Sequence, residues 1–174
     1  MSRRQPDLIL DTLRVPVAVG GEIQQTFETF GAFTLLRLGL GAAVHQEAWR
    51  KLRTTLSITG AVPVGLDGLD WAATHTLACI APRSIQSTTN TINLPATRRS
   101  DAPPFGFAIT AAGLLQPTTV TLAGNVATLA AVPGATAYQV LWYPLLTIRA
   151  PAGPSVSYDA AGAVAGWQLT AEEV

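Results

Sequence analysis

The sequence predicts a mainly β protein, a β-sandwich or β-barrel of short antiparallel strands with one short α-helix packed against it. Short runs in which apolar and polar residues alternate recur through all 174 residues, which is the period of strands with one buried face. The chain has 15 glycines and 12 prolines, and many of them separate these runs as turns. Short strands divided by regular turns are typical of sandwiches and barrels.

The first half of the chain contains three candidate strands. The run Leu13–Val19 alternates, and Pro16 predicts that it lies at a sheet edge or carries a bulge because proline cannot donate to a ladder. Phe33–Leu38 is the second candidate strand, and the turn Gly39–Gly41 follows it. Thr55–Thr59 is the third, in which Leu56 and Ile58 alternate with threonine and serine before Gly60.

One segment carries a helical pattern instead. Within Ala43–Arg53, the residues Val44, Ala48 and Leu52 fall on one helical stripe and Trp49 lies beside it. The charged residues Glu47, Arg50, Lys51 and Arg53 lie off this stripe. The pattern predicts a short amphipathic helix whose apolar stripe caps one end of the β core.

The second half contains four further β segments. Phe105–Ile109 alternates, and Val120–Val126 reads as a hairpin whose turn, Ala123–Asn125, supplies the Gly and Asn that positive φ angles favour. Tyr138–Trp142 places alternate large residues on one face, and Trp167–Leu169 belongs to the last strand. The sequence therefore predicts β structure from end to end.

The length predicts one β-rich domain over residues 1–174. Pro95–Pro104 has the composition of an exposed loop and is the best candidate for an internal boundary. The segment at about 105–132 is then a candidate for a small inserted hairpin unit.

The composition limits the class of partner. Apolar residues make up 48% of the chain and charged residues only 13%, about half the usual charged share. The longest weakly polar stretch, Val120–Val132, is too short to cross a bilayer, so we expect no membrane span. The net charge of zero gives no electrostatic footprint for nucleic acid. We expect a soluble chain that buries much of its outside in an assembly.

The sequence indicates no enzyme. The two histidines, His45 and His75, have no second metal ligand at zinc-site spacing. The lone Cys79 lies in an alternating run and is expected to be a core thiol. No Gly-x-Ser-x-Gly motif is present. We therefore predict no catalytic residue, no metal site and no cofactor.

Two groups of residues are candidates for contacts with a subunit or another partner. Asp67 and Asp70 form the one close carboxylate pair in a distinctive setting, which fits either a tight turn with side-chain-to-backbone bonds or oxygen ligands for a hard cation. Trp71 follows them in a turn-rich loop and is the tryptophan expected to make an exposed contact. Arg98 and Arg99 lie in the proline-flanked loop, either solvated or in a salt-bridged subunit contact.

Eight passages, spread over most of the chain, form a recognisable pattern. They are the strand from Leu13 and the segments Arg37–Gly41, Gln46–Leu52, Thr54–Gly60, Val62–Asp70, Cys79–Arg83, Tyr138–Pro144 and Trp167–Thr170. Together they resemble small tail or baseplate structural proteins of long-tailed bacteriophages, similar in kind to the distal tail protein. The resemblance is one of overall pattern and contains no motif as specific as a metal or P-loop signature.

The resemblance implies a structural component of a phage tail-tip or baseplate ring, which links the tail tube to the distal apparatus. It implies a homo-oligomer, a hexameric ring, with the tube, hub and fibre proteins as further partners. The location would be the virion tail, assembled in the host cytoplasm. The family offers no catalytic residues to transfer to this chain.

A second interpretation is a β-sandwich module that binds carbohydrate or adheres to a surface. Exposed aromatic side chains would favour it, because sugar rings stack on them. Pro133–Val140 is also similar to a fibronectin type III hairpin, over one strand pair.

Overall fold

A computed structural model describes residues 5–15, 22–60 and 65–174. It confirms a mainly β fold built from antiparallel sheets. The described residues form fifteen strands and a single 3₁₀ turn, Leu66–Gly68. In chain order the strands are β1 (Leu8–Leu10), β2 (Leu13–Val15), β3 (Ile23–Arg37), β4 (Ala43–Thr59), β5 (His75–Ala78), β6 (Arg83–Ser87), β7 (Thr91–Asn93), β8 (Phe105–Thr110), β9 (Leu115–Thr118), β10 (Val120–Ala123), β11 (Val126–Leu129), β12 (Ala135–Trp142), β13 (Leu145–Arg149), β14 (Ser155–Tyr158) and β15 (Val164–Glu173).

The chain divides into two compact units. The first comprises Met1–Leu8 and Ala78–Leu146, and the second comprises Ile9–Leu77 and Thr147–Val174. Residues 105–132 lie inside the first unit, where they contribute strands β8 to β11.

The first unit contains a β-sandwich of seven strands. One sheet has the order β10-β11-β7, and the other has the order β6-β12-β8-β9. Alternate residues of β12 enter the core, as the pattern of Tyr138–Trp142 predicts. The predicted hairpin is also present, with Ala123 opposite Val126 and Gly124 at φ 58°. The core of this sandwich is formed by Ile92, Leu94, Ala108, Ala127, Leu129, Tyr138, Val140 and Trp142.

The second unit is built on most of the eight-stranded sheet, whose order is β2-β1-β5-β13-β15-β4-β3, with β14 also paired to β15. Leu56 and Ile58 of β4 and Leu169 of β15 are almost fully buried. The strand Leu13–Val15 stands at one end of the order, as an edge strand should. Pro16 and the rest of that predicted strand lie outside the described residues, as do residues 62–64.

The predicted helix over Ala43–Arg53 is wrong. The whole segment belongs to β4, which pairs with β3 from Ile23 opposite Ile58 to Arg37 opposite Ala43. A spacing of four residues fits a helical turn and also one face of a regular strand, so the stripe does not distinguish helix from strand. In β4 the register shift at Ala48 then places Val44, opposite Leu36, and Leu52, opposite Thr29, on different faces. The non-local pairing with β3 decides between helix and strand. The predicted turn after β3 is confirmed, with the Leu38 N–H donating to the Ala42 carbonyl at 2.9 Å.

Candidate assembly surface

The loop that precedes β5 contains three of the predicted contact residues. Asp67 is exposed within the 3₁₀ turn. A carboxylate oxygen of Asp70 accepts the Ala72 N–H at 3.1 Å, which is the side-chain-to-backbone bond of a tight turn. Trp71 is half-buried, and its Nε1–H donates to the Leu66 carbonyl at 3.2 Å. These contacts stabilise the loop itself.

His75 lies beneath this loop and is only 5% exposed. Its Nδ1 is 2.7 Å from Oδ2 of Asp11, and its Nε2 is 3.0 Å from the Asp70 carbonyl oxygen. The indole ring of Trp71 lies 5.2 Å from the imidazole, centroid to centroid. The other Asp11 oxygen accepts the Thr76 N–H at 2.7 Å. His75 therefore connects the β1–β2 turn to the loop.

The partners of Asp11 change its pKa. Burial alone would raise the pKa of this carboxyl. The hydrogen bonds from Thr76 and His75, together with the electrostatic interaction with the His75 ring, outweigh burial and lower the pKa below its ordinary value.

The lowered pKa of Asp11 makes the second unit sensitive to acid. A carboxyl whose pKa is lower in the folded state contributes stability above its ordinary pKa, 3.8, and loses it as the pH falls through the lowered value. We expect Asp11→Asn to reduce the free energy of unfolding near neutral pH by about 1 kcal/mol, a figure reduced for partial exposure. Urea unfolding at several pH values should show the difference from wild type shrinking below about pH 4. The exposed Asp67→Asn serves as the control, and an equal loss at every pH would contradict the prediction.

The two adjacent arginines have structural contacts within the first unit. Arg98 is half-buried and donates to Oδ1 of Asn125 at 2.8 Å and to the Gly124 carbonyl at 2.7 Å, so it holds the β10–β11 turn. Arg99 is only 3% exposed and makes a two-pronged ion pair with Asp101, at 3.0 and 2.7 Å. The arginine pair and the aspartate loop thus lie in different units.

A different part of the chain presents the largest exposed apolar surface of the described residues. Strand β15 pairs with β4 as far as Glu172 opposite Arg53, and beyond that point the described residues give β4 no partner except β3. We call residues 29–52 the arm. Nine residues of β3 lie in the arm, which corresponds to roughly 30 Å of two-stranded ribbon. Every residue from 32 to 50 is exposed.

The arm is apolar on both faces and at its tip. Phe33 and Leu35 are two residues apart on β3 and therefore lie on one face. Their partners across the ribbon are Glu47 and His45. The opposite face carries Leu36 and Val44, which are directly paired, and Trp49. Leu38 and Leu40 occupy the turn. The arm supplies seven of the twelve large hydrophobic residues that the described part of the chain exposes.

Charged groups in the arm are few. His45 and Arg50 both contact the Glu47 carboxylate, and the hydrogen bond from His45, with the charge of Arg50, lowers the pKa of Glu47. At the base of the arm, Arg53 pairs with Glu172 at 2.7 Å and with Glu28 at 3.5 Å, which raises the pKa of its guanidinium. Arg50 within the arm and Arg53 at its base are therefore paired with carboxylates.

The sequence interpretation missed the arm because it read half of it as a helix. A signal was present: residues 22–38 contain one glycine and no proline, and residues 42–59 contain neither. Two long uninterrupted segments that flank Gly39–Gly41 are the pattern of an extended hairpin.

No family model matches the chain, and no curated protein matches it. In the described residues, no three His, Cys, Asp or Glu side chains are grouped so as to bind a metal ion. The same part of the chain contains no helix with the length and apolarity that a membrane span requires.

Proposed function

We propose that this chain is a structural subunit of a phage tail, part of the tail-tip or baseplate ring that links the tail tube to the distal apparatus. It acts by forming an oligomer, a hexameric ring, and not by catalysis. The tube, hub and fibre proteins are its other partners in the virion. The observation that carries the proposal is the arm.

The arm has the properties of a surface that another protein covers. An isolated two-stranded ribbon is at best marginally stable in water. Large exposed apolar patches on a folded chain mark interaction sites. Here the apolar residues concentrate on one projecting element instead of being scattered. The low share of charged residues in the sequence, 13%, fits a chain that functions as part of an assembly.

The ring is tested on the purified full-length chain by native mass spectrometry and negative-stain electron microscopy. We expect closed rings of one size. Leu36→Ser should raise the protein concentration at which half of the chain is assembled by about tenfold or more, because covering a leucine contributes about 1.5–3 kcal/mol. The melting temperature of the monomer should not change, because Leu36 is 46% exposed.

The matched control is Leu122→Ser, which alters a leucine of similar exposure, 43%, outside the arm. It should leave the assembly concentration unchanged. A wild-type chain that stays monomeric at high concentration would contradict the ring, and equal effects of the two substitutions would contradict the role of the arm. The placement in a tail is tested separately: genes for tube and tape-measure proteins should adjoin the gene of this chain.

The seven-stranded sandwich of the first unit favours a second candidate function, a carbohydrate-binding or adhesion module. The exposed large apolar residues of that unit's described part are leucines, Leu114, Leu115 and Leu122. Sugar-binding surfaces use aromatic rings instead. Binding of the monomer to a glycan array would support this candidate over the ring.

A further inference from the structure

We propose that each arm inserts between two other copies of this chain, one packed on each face of the ribbon, instead of lying on a single neighbour. This inference rests on the proposed ring and names the partners of its assembly surface.

The distribution of apolar side chains over the two faces is the first argument. Successive residues of a strand point to opposite sides, so one flat surface can cover only one of the two sets. Leu35 is 57% exposed on one face, and Leu36 is 46% exposed on the other. Each face also carries one aromatic residue that is about half exposed, Phe33 on one face and Trp49 on the other. A partner that covered only one face would leave the aromatic and aliphatic residues of the other face exposed to water.

The exposed area is the second argument. A fully exposed aromatic side chain presents about 150–250 Å², and leucine and valine are smaller. At the observed exposures, 37% to 101%, the two aromatic and five aliphatic residues of the arm together present on the order of 500–700 Å². A stable interface buries about 800 Å² on each partner. The apolar residues of one arm therefore supply a large part of one full contact, and this area is divided between the two faces.

Two features identify the partner as another copy of this chain: the closed form of the proposed ring and the few charged groups of the arm. In a closed ring every subunit has two neighbours of its own kind, which matches the two faces of the arm. Over the arm, residues 29–52, the lysine, arginine and glutamate side chains are Arg37, Glu47, Arg50 and Lys51. Glu47 and Arg50 are paired with each other, and Lys51 Nζ donates to the Val174 carbonyl at 2.8 Å. Such a surface offers little to an anionic polymer such as nucleic acid. It has the aromatic-rich, charge-poor composition of an interface core.

The experiment uses dilution to count the neighbours of one arm. A subunit with photo-crosslinking phenylalanine analogues in place of both Leu35 and Leu36 is mixed with a large excess of wild-type chain, assembled and irradiated. Because each labelled subunit is surrounded by unlabelled copies, contact on both faces should give a crosslinked trimer. Subunits labelled at one position alone should give only dimers, and a subunit labelled at Leu122 should give neither.

The outcomes separate this inference from the ring. Dimers alone from the doubly labelled subunit, in samples that native mass spectrometry shows to be closed rings, overturn the two-sided arm and leave the ring standing. Absence of crosslinks in such rings does the same. Crosslinked trimers in samples that contain open filaments, and no closed ring, support the two-sided arm and overturn the proposed ring.

Discussion

Replacing Arg99 with leucine is expected to speed the reaction of the Cys79 thiol with a small thiol reagent by several hundredfold under native conditions. Cys79 is the single cysteine of the chain and is fully buried in the first unit, so the reaction reports how often that unit opens. Arg99 Nη1 donates to the carbonyls of Asp7 and Cys79, at 2.7 and 2.9 Å, and to that of Ala78 at 3.2 Å.

The size of the effect follows from what the substitution leaves behind. Leucine removes the guanidinium and takes this donor away from the buried carbonyl oxygens of Ala78 and Cys79, whereas the Asp101 carboxylate is 52% exposed and water can solvate it. Leaving a buried acceptor without its partner costs about 1–3 kcal/mol, so the two carbonyls together cost about 2–6 kcal/mol, and each 1.36 kcal/mol is a tenfold change in an equilibrium. Arg99→Lys should recover little, because an ammonium group cannot reproduce the planar two-pronged contact.

The neighbouring arginine provides the matched control. Arg98→Leu removes hydrogen bonds to Gly124 and Asn125 at a half-buried site, where water can replace the lost donor. We expect a loss of about 1 kcal/mol and less than a tenfold change in the reactivity of Cys79. If Arg98→Leu and Arg99→Leu have equal effects, the network around Arg99 does not stabilise the first unit.

Sequence reasoning could not separate these two arginines. Both lie in one proline-flanked loop, and the buried one depends on carbonyls from Asp7 and from residues 78–79, which are remote in the chain. Local composition carries no information about which of two adjacent side chains will meet such partners. The loop itself was predicted from composition. The burial of Arg99 required the tertiary structure.

The strands show the same division between local and non-local information. Alternation in Tyr138–Trp142 and in Thr55–Thr59 predicts β structure with buried alternate residues, and the structure confirms both. In Ala43–Arg53 the pattern is ambiguous between helix and strand, and only the pairing with β3 resolves it. The arm was lost from the prediction for this reason, because its second strand was assigned as a helix.

The β8 strand shows where alternation predicts a strand but not which face is buried. Phe105 and Phe107 are half-buried, whereas Gly106 and Ala108 lie in the core of the sandwich. Hydrophobicity alone would place the phenylalanines inside. The small residues occupy the core face because side chains of the opposite sheet fill the space: a Cβ at position 106 would lie 2.5 Å from Cδ2 of Leu129.

Gly106→Val is therefore expected to destabilise the first unit by about 2–3 kcal/mol, the usual cost of overpacking a filled core. Its side chain would collide with Leu129 and with Val120, whose Cγ2 is 2.9 Å from the position of the new Cβ. The free energy of unfolding, measured in urea with Cys79 reactivity as a second probe, should show the loss. A neutral Gly106→Val would mean that the two sheets separate without cost.

A double-mutant cycle tests whether the clash with Leu129 is the cause. Leu129→Ala alone should cost about 2–4 kcal/mol, because it leaves a cavity. In the Gly106→Val background, Leu129→Ala provides the missing space. The double variant should therefore lose about 1–2 kcal/mol less free energy of unfolding than the sum of the two single losses. Leu94→Ala is the control, because Leu94 belongs to the same core but is not among the nearest neighbours of the new Cβ. The stability lost through Leu94→Ala should simply add to that lost through Gly106→Val. If Leu94→Ala and Leu129→Ala show equal coupling energies with Gly106→Val, glycine is needed because the whole core is sensitive to added volume, and not because of a local collision with Leu129.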